Sequence, residues 1–125
     1  MNLQLSLKKQ WFDMTKSGIK TEDYREITPY WVKRLMQESY LRICSNDDDL
    51  VDYIVFNIDV NFMLKHHAKK FKTNTMTLGY PKSTDLERIL KLEHKGIEIR
   101  TGNSDWGAEP DKLYFVVLHG SVLAK

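Results

Sequence analysis

The opening 27 residues constrain the fold more than any other stretch, because they change periodicity twice within a short span. Leu3, Leu5 and Leu7 alternate with Gln4, Ser6 and Lys8, the period-two pattern of a strand with one buried face. Lys9 to Ser17 predicts a short helix: Trp11, Phe12 and Met14 join Leu7 in one apolar stripe, and no proline or glycine interrupts it. Trp11 on that stripe is expected in the core. Gly18 closes the helix, since glycine adopts the left-handed conformation without a side-chain clash. The chain then leaves in extended form through Thr21, Tyr24 and Ile27. In a strand, Thr21, Asp23 and Arg25 share one face while Lys20, Glu22 and Tyr24 share the other. A site using both Lys20 and Asp23 therefore needs a bend, which the glycine joint supplies.

That joint is also the densest polar chemistry in the chain. Gly18 to Arg25 holds a lysine, two carboxylates, a tyrosine and an arginine. Lys20 and Arg25 offer donors for a phosphate or a developing oxyanion, and Asp23 can exchange a proton or orient an amino edge. The competing view is a set of solvated ion pairs worth about 0–1 kcal/mol each, and spacing alone favours it.

Further along, Thr28-Pro29 starts a second helix with a capping hydroxyl and a proline whose missing amide does no harm at the first position. Val32, Leu35 and Met36 give it one apolar face to about Gln37 or Glu38. Tyr40 to Cys44 reads as short strand or loop, and Ser45 to Asp49 as a solvated turn. Asp52 to Ile58 predicts a central strand, because Tyr53, Ile54, Val55, Phe56 and Ile58 form a nearly continuous β-favouring run. Val60 to Lys72 is a helical or looped basic segment carrying Phe62, Phe71 and the adjacent His66 and His67, whose spacing is not that of a metal pair. Thr75 to Tyr80 predicts a strand; Leu86 to Lys95 fits either a helix, through Leu86, Ile89, Leu90 and His94, or a strand, through Leu90, Leu92 and His94, and Ile97 to Arg100 continues a β pattern past a bulge or bend at Gly96. Thr101 to Asp111 is a turn-rich loop holding Trp106, and Leu113 to Leu118 a buried final strand with Val122-Leu123 beyond Gly120.

The run Leu5-Ser6-Leu7-Lys8, Trp11-Phe12, Ser17-Gly18, Lys20 and Tyr24-Arg25 resembles the opening of an ASCH domain, a small member of the PUA-like superfamily with the signature G-x-K-x-x-E-x-R. Gly18, Lys20 and Arg25 match it, and Asp23 stands in place of the usual glutamate. Downstream, Pro29 to Leu35, Gly79-Tyr80, Lys95 to Ile99, Thr101-Gly102 and Trp106-Gly107 are similar to small stand-alone ASCH proteins of phages and bacteria. The resemblance implies an α+β fold: a PUA-like mixed β-barrel of five or six strands with two or more short helices packed on it, and it implies a strand from about Glu87 leading into Lys95-Gly96. It would fill residues 1–125 as a single domain, with a family-atypical basic segment at about 60–75.

With 125 residues, the chain has the length of one domain able to build a core without metals or disulfides. Its 19 Lys and Arg against 17 Asp and Glu give a net charge of +2, so any polyanion site must come from local clustering. One cysteine, Cys44, excludes an intrachain disulfide and fits a reducing cytoplasm, and no long apolar run suggests a membrane span. The opening residues lack the blocks of a signal peptide. No cofactor or metal is expected.

For function, the resemblance implies first a module binding RNA, in a cleft between the first helix and the Gly18–Arg25 signature. Lys8, Lys20, Arg25 and Arg34 would hold phosphates, and Tyr30 or Trp106 would stack a base. Trp31 lies beside the apolar helix face and is a candidate to line the cleft. An enzyme on RNA or modified nucleosides is the alternative, either a ribonuclease or a relative of N4-acetylcytidine amidohydrolases, with Lys20, Asp23 and Arg25 as catalytic groups. In that amidohydrolase branch a threonine nucleophile stands where this chain has Asp23, and Glu87, Glu93 and Glu98 are candidates for the downstream acid. A regulatory or protein-interaction module is a third possibility.

Overall fold

The computed structural model describes residues 1–57 and 59–124. Its class is the expected α+β: one mixed five-stranded sheet with short helices between its strands. The strands are β1 (Asn2–Leu7), β2 (Glu22–Arg25), β3 (Thr73–Leu78), β4 (Ile89–Thr101) and β5 (Leu113–Ala124), hydrogen-bonded in the order β1-β3-β4-β5-β2. The helices are α1 (Lys9–Lys16), α2 (Pro29–Leu35), α3 (Glu38–Leu41), α4 (Asp47–Val55) and α5 (Val60–His67). By its contacts the chain divides into two compact units.

The first unit comprises Met1–Asp23, Lys70–Gly96 and Val117–Lys125. Here β1 runs parallel to β3 with Leu5 opposite Met76, and β3 runs antiparallel to β4 with Met76 opposite Leu90. These side chains, with Leu3 and Leu92, are almost wholly buried. The alternation in β1 is as the leucines predict, buried at Leu3, Leu5 and Leu7 and exposed between them. Helix α1 buries Phe12 and Thr15. Trp11, expected in the core, is only half-buried: the stripe is centred one residue further on. Gly18 has φ 85°, and the amides of Ile19 and Lys20 both donate to the Met14 carbonyl at 3.1 Å, which ends the helix as its sequence predicts.

The second unit comprises Tyr24–Lys69 and Ile97–Val116. Thr28 caps α2 by accepting from the Trp31 amide, with Pro29 in the first turn, as expected, but the helix ends at Leu35, and Met36 instead bridges to Ala68. The strand expected over Asp52 to Ile58 is a correction. Residues Asp47–Val55 are helix α4, while Ile58 lies outside the described residues. The reason stands just upstream. Asn46 accepts from the Asp49 amide at 2.8 Å, and Asp47, Asp48 and Asp49 occupy the first turn, where negative charge meets the helix dipole. What reads as a solvated acidic turn is therefore a helix start. Leu50 and Ile54, four residues apart, then bury one face. The β-propensity of Tyr53, Ile54 and Val55 gives way to capping and burial. Likewise Tyr40 lies on the one-turn helix α3 and not on a strand or loop. In the first unit, Leu86–Arg88 forms a 3₁₀ turn, so β4 begins at Ile89 and not near Glu87, and it continues through Gly96 at φ 131°. Within the basic segment, α5 is helical, one of the two forms expected there.

Candidate functional site

Lys20 and Asp23 meet inside the first unit, each 2% exposed. The Gly18 joint makes this possible: Lys20 precedes β2, so it is not bound by the strand's alternation and turns inward after the helix cap. Its ammonium donates to Asp23 Oδ1 and, at 2.7 Å, to the Glu22 carbonyl. Asp23 Oδ2 lies 2.5 Å from Nε2 of His119, a residue on β5 that sequence reading passed over. The His119 side chain is also 2% exposed. Beyond it stands Asn74 of β3, fully buried, with Nδ2 2.8 Å from His119 Nδ1 and 3.2 Å from the Leu118 carbonyl it donates to. Asn74 Oδ1 in turn faces Nδ1 of His94 at 2.7 Å.

These five side chains form one continuous polar ladder, and its proton directions follow from the donors. Asn74 Nδ2 has only hydrogens to give, so His119 Nδ1 accepts and the imidazole proton sits on Nε2, aimed at Asp23. Asn74 Oδ1 can only accept, so His94 Nδ1 carries its proton. Burial alone pushes the Asp23 pKa up, but the hydrogen bond from His119 and the ammonium of Lys20 together outweigh it and hold the carboxyl below its ordinary range. Burial, with the neighbouring His119 second, pushes the His94 pKa down to about 4. Both carboxylate oxygens and both His119 nitrogens are engaged, so the stretch from Lys20 to Asn74 holds charge and position, and only His94, half-buried at the end of the ladder, reaches towards solvent. Glu87, Glu93 and Glu98 do not join it. Each pairs elsewhere, with Lys16 at 3.8 Å, Lys95 at 3.0 Å and Arg100 at 2.9 Å.

The second unit gathers a different set. Arg25 and Arg34 place their guanidinium carbons 5.2 and 5.3 Å from the Trp31 ring centre. Tyr30 packs edge-on to Trp31 at 5.2 Å, accepts from Arg34 Nη1 at 2.9 Å, and is 57% exposed. Helix geometry explains the pairing: Tyr30 and Arg34 are neighbours one turn apart on α2. Trp106 sits half-buried on a 3₁₀ turn, Ser104–Trp106, closed by Gly107 at φ 98°. Tyr24 fastens the start of that loop, its hydroxyl accepting from the Asn103 amide at 2.8 Å. Lys8 is exposed at the head of α1 in the first unit.

The structure thus brings Lys20 and Asp23 together in one unit, and Arg25, Tyr30 and Arg34 together in the other. Sequence reading missed His119, Asn74 and His94 as members of the first group. The available signal was parity: in Thr73–Leu78 the threonines alternate with Asn74, Met76 and Leu78, which puts Asn74 on the apolar face. Among the described residues, no group of His, Cys, Asp and Glu is arranged to hold a metal ion. Comparison with known protein families, curated proteins and solved structures returned no match. Geometry and chemistry must carry the functional reading.

Proposed function

We propose that this protein binds single-stranded nucleic acid, RNA before DNA, through the face built by Arg25, Tyr30, Trp31 and Arg34. The observation that carries this is the indole of Trp31 with guanidinium groups 5.2 and 5.3 Å from its centre beside a largely exposed tyrosine. Cation–π contacts hold the planar groups in place before a ligand arrives. A base can then stack on Tyr30 while arginine hydrogens meet phosphate oxygens. Trp106, in the same unit, is a second stacking residue on a loop tied down by Tyr24. The resemblance to ASCH domains supports RNA as the ligand, and the single cysteine fits action in the cytoplasm. In this reading Lys20 and Asp23 hold the signature joint in shape and do not touch the ligand.

Hydrolysis of RNA or a modified nucleoside is the second reading. It is favoured by the Asp23–His119 contact, which joins a carboxylate to an imidazole as acid–base catalysts require. Burial of Lys20, Asp23 and His119 weighs against it.

The test is fluorescence anisotropy with labelled single-stranded RNA, double-stranded RNA and single-stranded DNA at two salt concentrations, with strand integrity checked. Single-stranded RNA should bind and weaken as salt rises. Tyr30→Ala should reduce affinity about tenfold, the low-to-middle range for removal of a stacking aromatic, and Trp31→Ala should also weaken binding by releasing both guanidinium groups. No binding at low salt, or equal binding by Trp31→Ala, would overturn the proposal. Cleavage that disappears in Lys20→Ala would replace it with the enzymatic reading.

A further inference from the structure

A cleft of about 410 Å³ opens in the first unit on the face of the sheet opposite the leucines of β1. Its floor is a register row across three strands: Gln4 pairs with Thr75, and Thr75 with Lys91. The chain between β3 and β4 lines it with Pro81, Ser83 and Leu86, and Ile89 lies next to the floor row, opposite Thr77. Thr75 and Thr77 are 7% and 4% exposed, so the floor is deep even though its side chains are polar.

The donor inventory decides what such a cleft can hold. Asn2 Oδ1 accepts from both Thr73 Oγ1 at 2.7 Å and Thr75 Oγ1 at 2.8 Å. That pair of hydrogen bonds fixes the carboxamide and leaves its two amide hydrogens to give. Lys91 and Ser83 are exposed, and among the described residues neither ammonium nor hydroxyl has a protein partner. No aspartate or glutamate lines the cleft. Glu93, two residues from Lys91 on the same strand face, is paired with Lys95 at 3.0 Å and is not part of the lining, so a cation, an amide and a hydroxyl with no carboxylate among the lining residues are complementary to an anion. The apolar surfaces of Pro81, Leu86 and Ile89 add a wall for a flat ring, and Leu86 is 59% exposed, an apolar side chain left uncovered by the fold. The volume lies in the lower part of the range of small-molecule sites, about 300–1,000 Å³.

We propose that this cleft binds a free nucleoside monophosphate or a phosphorylated molecule of that size, with the phosphate on Lys91, Ser83 and the Asn2 amide and the ring against Leu86 and Ile89. The site shares no residue with the nucleic-acid face proposed above and does not depend on it.

Isothermal titration of the whole chain with CMP and AMP tests it, alongside cytidine, adenosine and inorganic phosphate. The monophosphates should bind, and the nucleosides and phosphate should each bind at least about tenfold more weakly, because each keeps only one half of the recognised molecule. Lys91→Ala should weaken CMP about tenfold, the effect of removing one charge-assisted hydrogen bond, while Lys91→Arg retains most of it. Both substitutions fall on an exposed side chain, so the fold is not at risk, and Leu86→Ala gives an independent check on the ring wall. Trp31→Ala should leave CMP binding unchanged. The proposal is overturned if CMP and AMP do not bind, if a nucleoside or phosphate binds as tightly as they do, or if Lys91→Ala and Leu86→Ala are both silent. A 5′-phosphorylated tetranucleotide that displaces CMP at equal concentration would reassign the cleft to an RNA end and overturn the free-nucleotide assignment.

Discussion

The ladder Lys20–Asp23–His119–Asn74–His94 and the cluster Arg25–Tyr30–Trp31–Arg34 both draw on the same polar signature, yet they use its residues in opposite ways. In the ladder, the lysine, the carboxylate and the amide are almost wholly buried, and all five groups are hydrogen-bonded to one another in sequence. In the cluster, the charges lie on ring faces beside a largely exposed tyrosine. A buried network whose donors and acceptors meet one another, as from Lys20 to Asn74, fixes one arrangement of the chain and offers little to a ligand. In the cluster, the largely exposed Tyr30 leaves ring surface that a ligand can meet. The difference teaches that chemistry-bearing residue types, even in a dense motif, divide into support and recognition according to burial.

The sharpest way to break that comparison is to remove the carboxylate. Asp23→Ala would strand a buried ammonium and leave His119 Nε2–H without its acceptor, and removal of one partner of a buried pair typically costs about 3–5 kcal/mol. Urea denaturation should show that drop in stability. Lys20→Met combined with Asp23→Leu should cost less than Asp23→Ala alone, since it removes both charges together. If Asp23→Ala is as stable as the parent and loses only ligand binding, the ladder is a functional site and the division between support and recognition fails.

A smaller effect is expected at the surface. Replacing both Arg25 and Arg34 with alanine should reduce the slope of log affinity against log salt by about 2, one for each phosphate no longer neutralised. Folding stability should change far less than in Asp23→Ala. An unchanged slope would remove these arginines from phosphate recognition.

The ladder should also be visible in the acid limb of stability. His94 has its pKa pushed down to about 4 from 6.5, so the folded chain holds the neutral ring where the unfolded chain has already taken up a proton. Its contribution is complete above 6.5 and is lost as pH falls from 6.5 towards 4. Discounted for the exposed part of the ring, that amounts to on the order of 1 kcal/mol. Asp23 adds a second loss lower down: its carboxyl is held below 3.8, so its stabilisation is present above that value and disappears as pH drops through the lowered one. Denaturation midpoints between pH 7 and pH 4 should fall, and His94→Gln should flatten the upper part of that fall. A flat profile in the parent would show that His94 is not held neutral.

Much of the fold was legible in the sequence where one signal dominated. The leucine alternation in β1, the glycine stop at Gly18 and the Thr28-Pro29 start are local, and local rules place them correctly. Residues 47–55 were not legible because two local signals conflict: β-branched and aromatic residues favour a strand, while Asn46 and three aspartates start a helix, and burial of Leu50 and Ile54 decides between them. For the site, Lys20 and Asp23 stood out by type. Their partners did not, because His119, Asn74 and His94 come from strands tens of residues away, and strand order is not written in any short window. The stacking of Arg25 on Trp31 likewise joins a strand end to a helix start, and only the turn between them makes the contact.

The smallest expected effect separates charge from shape at the surface cluster. Arg34→Lys keeps the positive charge but removes a planar group that lies 5.3 Å from the Trp31 ring centre and donates to the Tyr30 hydroxyl at 2.9 Å. A lysine ammonium is a compact, strongly hydrated point charge, with neither a stacking face nor a fork of fixed donors. If Arg34 acts only as a charge, the salt slope and the affinity should both survive the change. If it acts by holding Trp31 and Tyr30 in register, the slope should survive while affinity falls by about two- to fivefold, as expected when a partly exposed cation–π interaction worth about 0.5–1 kcal/mol is removed. The second outcome is the one expected, because both aromatic partners of Arg34 sit on the same helix and lose a shared support together. A slope and a low-salt affinity that both drop would instead mean that the lysine no longer reaches the phosphate, and the phosphate contact of Arg34 would then outweigh its support of the stacking surface.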